Sequence, residues 1–246
     1  RVPITITVNP APTVTISPAS VSICSGQSAT LTASGGGTYA WSNSGGSNAS
    51  ATVSPTSNTT YTVTVTTNGC TATASRAVTV NQNPTASITP ASPAICNGQS
   101  QTLTASGGGT YAWSNGLGSG ATKSVSPTAT TTYTVTVTNA ANCTATATST
   151  LTVNSVNASI NGPTTICSGL NATLTASGGG TYAWSNGLGS GSSVTVSPTA
   201  TTTYTVTVTG AGGCTATASQ TVSVQSAPTA SISGATSVCA GGSVTL

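Results

Sequence analysis

Seven cysteines, Cys24, Cys70, Cys96, Cys143, Cys167, Cys214 and Cys239, are the side chains of this 246-residue sequence with the most chemistry to offer. Thiols oxidise to disulfides, ligate metals as thiolates, or act as nucleophiles. Their spacing is regular. Cys24 and Cys70 are 46 residues apart, Cys96 and Cys143 are 47, and Cys167 and Cys214 are 47. Each pair brackets the same stretch of a repeated unit, so the expected bonds are Cys24–Cys70, Cys96–Cys143 and Cys167–Cys214. Cys239 then opens a fourth pair and stays unpaired in this chain. Closing loops of that length stabilises by about 4 kcal/mol in the chain-entropy model. Paired cysteines at such regularity imply an oxidising compartment and an exported chain. The rival reading, zinc, needs four ligands close together, and the sequence has no histidine. A catalytic thiol needs a neighbouring group that lowers its pKa, and none is in view.

The rest of the composition narrows the function by exclusion. There is no Asp, Glu, His, Phe or Met, and the only charged side chains are Arg1, Arg76 and Lys123. General acid–base chemistry draws on carboxylates and imidazoles, so no enzyme is expected. A Ser-Lys dyad through Lys123 fails because the equivalent positions hold Ala51 and Val194. Lys123 reads instead as a tolerated substitution with a packed stem and a wet ammonium. Arg76 aligns with Ser149 and Gln220 and reads as an exposed surface position. Three scattered cations make no nucleic-acid-binding patch. No apolar run approaches the roughly 20 residues of a membrane span. Calcium binds carboxylates, so no metal or other cofactor is expected and folding should be calcium-independent.

The cysteines sit in a unit that recurs every 71 or 72 residues, counted along Cys24, Cys96, Cys167 and Cys239. The segment LTASGGGTYAWSN appears unchanged at 31–43, 103–115 and 174–186. Periodicity of this kind marks a tandem array. The expected divisions are 1–9, the last strand of a preceding repeat; 10–82, 83–155 and 156–226, three full repeats; and 227–246, the start of a fourth. Both ends therefore read as cut from a longer polypeptide.

Within the middle repeat the apolar residues alternate with period 2, the mark of half-buried strands. Ile88, Leu103, Ala105, Tyr133, Val135, Val137, Leu151 and Val153 fall on inward faces. Tyr111 and Trp113 share one side of TYAW. Gly107 to Gly109 demand a turn, and Asn115-Gly116 signals a hairpin. Seven short strands with closely spaced turns and no helical period predict an all-β chain: a tandem array of small Ig-like Greek-key β-sandwiches, one intra-domain disulfide each. The predicted core comprises Trp41, Trp113 and Trp184 with Tyr61, Tyr133 and Tyr204. The glycine triplets are not a phosphate loop, since no lysine or helix follows them. Sequons such as Asn58-Thr59-Thr60 and Asn171-Ala172-Thr173 arise readily in so Thr-rich a chain.

The joints VNQNPTAS, VNSVNAS and VQSAPTAS are short, so a rod is expected rather than freely swinging domains. Near-neutral surfaces and TVTVT edges favour association between rods.

TASGGGTYAWSNG, SPTATTTYTVTVT and the NAANCTATAT return resemble the Ig-like, PKD-like tandem repeats of very large surface proteins of Bacteroidota. The resemblance spans essentially the whole chain. It implies a cell-surface adhesin, of the kind that includes the giant adhesin of gliding motility, and export by the type IX secretion system. Such repeats commonly carry an Asp in the turn before the second cysteine. Here the turns read TTNG, TNAAN and TGAGG, so calcium and acidic-motif glycosylation do not carry over. The cysteines also differ from the antibody pattern, since Cys143 lies ten residues after Tyr133.

The expectation is a structural stalk or filament shaft on the bacterial cell surface. Its partners would be neighbouring repeats of the same chain, other rods in lateral association, or glycans. A carbohydrate-binding array of a secreted glycan-active protein is the alternative, but the aromatics occupy core-like positions. Ice or mineral adhesion through T-x-T rows is a third reading, although alternating threonine is equally the outer face of a neutral sandwich.

Overall fold

The computed structural model describes residues 2–4, 6–234 and 236–245; the charge of Arg1 and parts of the two terminal divisions (Thr5, Ala235 and Leu246) lie outside the described residues. By contacts the chain divides into two compact units. One comprises Arg1–Pro93, Gln101–Val125 and Thr132–Thr150; the other comprises Ala94–Ser100, Ser126–Thr131 and Leu151–Leu246.

The first repeat carries seven strands: β1 (Ile16–Ser17), β2 (Val21–Cys24), β3 (Ala29–Ala33), β4 (Thr38–Trp41), β5 (Ser50–Val53), β6 (Thr59–Thr67) and β7 (Cys70–Asn81). They form two sheets, β1-β3-β5 and β2-β7-β6-β4. From β1 to β6 the chain changes sheet at every step, the Greek-key crossing of an Ig-like sandwich. Only β6 and β7 follow each other as a hairpin, closed by Asn68 and Gly69 in left-handed conformation. One pairing escaped the sequence reading: β2 runs parallel to β7, with Val21 opposite Val78 and Cys24 opposite Asn81.

The second repeat has β8 (Ser87–Thr89), β9 (Ala94–Cys96), β10 (Gln101–Ser106), β11 (Thr110–Trp113), β12 (Gly118–Ser119), β13 (Thr122–Val125), β14 (Thr131–Thr138) and β15 (Thr144–Asn154). Here β10 pairs with β8 and β13, β11 pairs with β14, and β9 lies parallel to the end of β15. The third repeat has β16 (Ser159–Asn161), β17 (Thr165–Cys167), β18 (Ala172–Ser177), β19 (Thr181–Trp184), β20 (Ser193–Val196), β21 (Thr202–Thr209) and β22 (Thr215–Gln225). Its sheets, β16-β18-β20 and β17-β22-β21-β19, repeat the first pattern. The described residues of 1–9 and 227–246 join no ladder.

Alternation sets the core. In β6 the residues Tyr61, Val63 and Val65 are buried, and the threonines between them face outward. The outer faces are closed by hydroxyl pairs in place of ion pairs. Thr62 and Ser75 stand opposite each other at 2.8 Å, Thr132 and Thr150 at 2.9 Å, and Thr205 and Ser219 at 2.7 Å. β-Branched threonine suits the pleat while its hydroxyl finds a cross-strand partner.

All six expected core aromatics are buried, from 5% exposed at Tyr61, Tyr133 and Tyr204 to 8% at Trp41. Each tryptophan also holds a loop. Trp41 Nε1 donates to the carbonyl of Asn48 (2.9 Å), Trp113 to Gly120 (2.8 Å) and Trp184 to Gly191 (2.8 Å). The indole fills the core and its polar edge ties down the turn after its own strand.

The glycine triplet is fixed by geometry. In the second repeat Gly107 has φ 142° and Gly108 φ 69°, both unfavourable for an L side chain. A Cβ on Gly109 would overlap the carbonyl oxygen of Thr138 on the neighbouring strand, and Gly37 and Gly180 meet Thr66 and Thr209 in the same way.

Candidate functional site

With no acid, base or metal cluster to build around, the cysteines and the joints they occupy are the place where this chain has chemistry. Among the described residues no group of metal-ligating side chains is gathered.

The sandwich fixes where each cysteine goes. The first cysteine of a repeat ends the second strand, and the parallel register sets it beside the end of the last strand: Cys24 opposite Asn81, Cys96 opposite Asn154, Cys167 opposite Gln225. The second cysteine lies at the other end of that last strand. Cys70 begins β7 and Asn81 ends it, 12 residues in all. At about 3.3 Å per residue the two ends stand about 36 Å apart. A disulfide requires Cα atoms within about 7 Å. The expected bonds Cys24–Cys70, Cys96–Cys143 and Cys167–Cys214 are therefore corrected: the two cysteines of one repeat cannot meet.

The bonds that form link one repeat to the next. Cys24 pairs with Cys143, at a Cα separation of 5.6 Å, and Cys96 pairs with Cys214, at 5.5 Å. The first cysteine of a repeat thus takes the second cysteine of its successor. Cys70, Cys167 and Cys239 are free.

Each joint is built to present the second cysteine. At the first joint, Asn83 donates to the carbonyl of Ser25 (3.2 Å) and Asn139 donates to that of Gln82 (2.8 Å). The other side-chain atom of Asn139, Oδ1, accepts the N–H groups of Ala141 and Cys143, both at 3.0 Å. That local cap shapes the NAAN turn and aims Cys143 at Cys24. Cys143 is fully buried, with its Sγ 3.9 Å from the carbonyl oxygen of Asn81. At the second joint the turn is Gly210–Gly213, and Gly210 N–H donates to Cys214 O (2.8 Å). Gly210 passes so close to Val156 that an added Cβ would sit 3.1 Å from its side chain. Two different turn sequences deliver their cysteine to the same place.

A second correction concerns Arg76. It is half-buried and donates to the carbonyls of Ile16 (3.0 Å) and Ala19, across the bend between β1 and β2. Its counterparts brace the same bend in their own repeats. Ser149, buried, donates to Pro90 O (2.9 Å), and Gln220 donates to Gly162 O (3.0 Å) and Pro163 O (3.2 Å). The position is a bracket on that bend. Alignment of three unlike residues gave no sign of it, although all three can donate a hydrogen bond. Lys123 is half-buried where Ala51 and Val194 are buried. Burial raises the pKa of the Tyr133 phenol.

No family model matches the chain, and no curated protein matches it. Among solved structures, the I67–I69 fragment of titin is 15% identical with a TM-score of 0.43, covering 90% of this chain and 100% of that one. Three N-terminal domains of the highly immunogenic outer capsid protein (Hoc) of bacteriophage RB49 give 16% and 0.39, covering 89% and 99%. A Ca2+-stabilised, ice-binding adhesin of an Antarctic bacterium gives 17% and 0.36, covering 92% and 76%. Likenesses at this level carry no argument, and the assignment as Ig-like tandem repeats rests on the ladders described above.

Proposed function

We propose that this chain is a structural stalk of an extracellular bacterial surface adhesin, each 72-residue repeat acting as one domain and the array holding a binding region away from the cell. The observation that carries the reading is the covalent bond from each repeat to the next. A spacer under tension fails at its weakest joint, and here every joint between full repeats has a disulfide in parallel with its peptide linker. The gliding-motility and type IX secretion context, and the bacterial surface location, come from the Bacteroidota resemblance and belong to this proposal. So does lateral association, which the neutral Thr-rich faces would permit.

Pulling single molecules from both ends tests the mechanical part. Between Cys24 and Cys214 lie 190 residues, but with both bonds closed the shortest covalent path uses only the 47 residues from Cys96 to Cys143. At roughly 3.4 Å per residue, full extension of this region is about 160 Å oxidised and about 650 Å reduced. Equal extension with and without reductant would rule out the clamped stalk. Micromolar binding of the isolated chain to a glycan array would favour the carbohydrate-binding alternative instead.

A further inference from the structure

Five Asn-Gly steps lie in a chain that has no acidic side chain: Asn68, Asn97, Asn115, Asn161 and Asn186 each precede a glycine. Such a step can modify itself. The glycine nitrogen attacks the asparagine Cγ and expels ammonia, and water opens the resulting five-membered succinimide to aspartate or isoaspartate. Glycine leaves that nitrogen unshielded, and backbone geometry decides whether it reaches Cγ. We propose that Asn186-Gly187, with its twin Asn115-Gly116 following more slowly, is a self-modification site that gives this chain its first carboxylates.

The geometry selects among the five. A planar ring eclipses Cβ with the following nitrogen, which for an L residue means ψ of about −120°, the value at the first central position of a type II′ turn. Asn186 and Gly187 have φ of 57° and 69°, and Leu188 N–H donates to Ser185 O (3.3 Å), so they are the central pair of a type I′ turn. Types I′ and II′ share the φ of the first central residue, and rotating the one central peptide converts them. Asn186 thus reaches the ring geometry with the flanking residues in place. Nothing resists the rotation: both residues are exposed, and among the described residues no hydrogen bond holds the Asn186 side chain, its carbonyl or the Gly187 N–H.

The stretch TYAWSNGLGSG is identical at 110–120 and 181–191, and Asn115-Gly116 makes the same turn, with φ of 56° and 71°. There Asn115 Nδ2, the leaving group, donates to Thr132 O (3.1 Å), a bond the reaction has to break. Asn68-Gly69 is also type I′, but the carbonyl that must rotate accepts from Asn9 Nδ2 (3.2 Å). The remaining two point the wrong way. Asn97 lies outside the positive-φ region, Gly98 has φ 86°, and Gln99 N–H donates to Cys96 O (3.0 Å), a type II turn whose first central residue has ψ of about +120°. Asn161 ends β16 opposite Thr175, in extended backbone with ψ of the same sign.

Each event consumes one water, releases one ammonia and, at neutral pH, removes one unit from the net charge of +3. Isoaspartate also adds a methylene to the main chain of a turn whose Leu188 packs against the core. The proposal owes nothing to the stalk reading or to any surface location.

The test is ageing of the full chain in mildly alkaline buffer made with oxygen-18 water, beside a sample unfolded in guanidinium. A cooperative melt recorded before ageing verifies the fold, and mass spectrometry of peptic peptides scores each asparagine. In the folded chain Asn186 should convert first, about fivefold faster than Asn115 and Asn68, the factor that one hydrogen bond is worth. Its product should be a mixture of aspartate and isoaspartate carrying one heavy oxygen. Asn97 and Asn161 should still be amides when Asn186 is half converted, whereas in guanidinium the five rates should come together. Asn186 remaining an amide, or Asn97 or Asn161 converting as fast as Asn186 in the folded chain, overturns the proposal.

Discussion

The segment 103–115 and the bracket at position 149 lie in the same repeat and tolerate change very differently. The segment is identical in all three repeats, whereas the bracket is Arg76, Ser149 and Gln220 in turn. The difference is geometric. Within that segment Trp113 and Gly109 each meet a constraint that one side chain alone satisfies: an indole filling the core and reaching a carbonyl, and a hydrogen in place of a Cβ beside another strand. At the bracket the demand is one hydrogen-bond donor pointed at the bend, and a hydroxyl, an amide or a guanidinium meets it.

The comparison can be broken first at Trp113. Trp113→Ala empties a 7%-exposed core site and orphans the Gly120 carbonyl, with an expected loss of about 4 kcal/mol and unfolding of its repeat in a calorimetric melt. A melt unchanged within a degree or two would remove the indole from the core assignment. The glycines sharpen the point within three residues. Gly109→Ala drives a methyl into Thr138 and should cost about 3 kcal/mol. Gly108→Ala faces open space and has only its φ of 69° to contend with, about 1 kcal/mol. Equal costs in urea titrations would show that backbone conformation, not close approach, fixes the triplet. At the bracket, Arg76→Ala should cost about 1–2 kcal/mol through two lost donors, while Arg76→Gln should recover most of it. Failure of glutamine to rescue would mean that the guanidinium does something Gln220 does not.

The smallest effect expected is that of pH. With no carboxylate or imidazole side chain, nothing but the chain termini titrates between about pH 3 and pH 7, so stability should be flat there. The buried Tyr133 phenol has its pKa raised on folding. Its neutral form is the one the fold favours. That contribution is complete below the unfolded value of 10.0 and is lost as pH rises through the folded value, so melts should fall only in strong alkali. An acid-induced transition near pH 4 would contradict this account.

Period-2 alternation made the strands and the core legible, because in Tyr133, Val135 and Val137 side-chain direction follows directly from sequence parity. The turns were legible for the same local reason: Asn115-Gly116 adopts positive φ at both positions. The disulfides were misread because pairing is not local. In an array of fixed period, Cys24 is as regularly spaced from Cys143 as from Cys70, so spacing cannot choose between them. The deciding signal was present in CTATATSTLTVN. An unbroken strand of that length already separates its cysteine from its far end by more than any disulfide spans. What could not be read was the parallel β2–β7 register, which puts the other cysteine at that far end.

The overlap of the two bonds has a consequence for damage. The loop closed by Cys24 and Cys143 and the loop closed by Cys96 and Cys214 share the residues from 96 to 143. Any single peptide bond broken between Cys24 and Cys214 therefore lies inside at least one covalent ring, and the pieces stay joined. Throughout that span the molecule has the redundancy of a braided cable: one protease cut anywhere along it leaves the strand unparted until a reductant arrives.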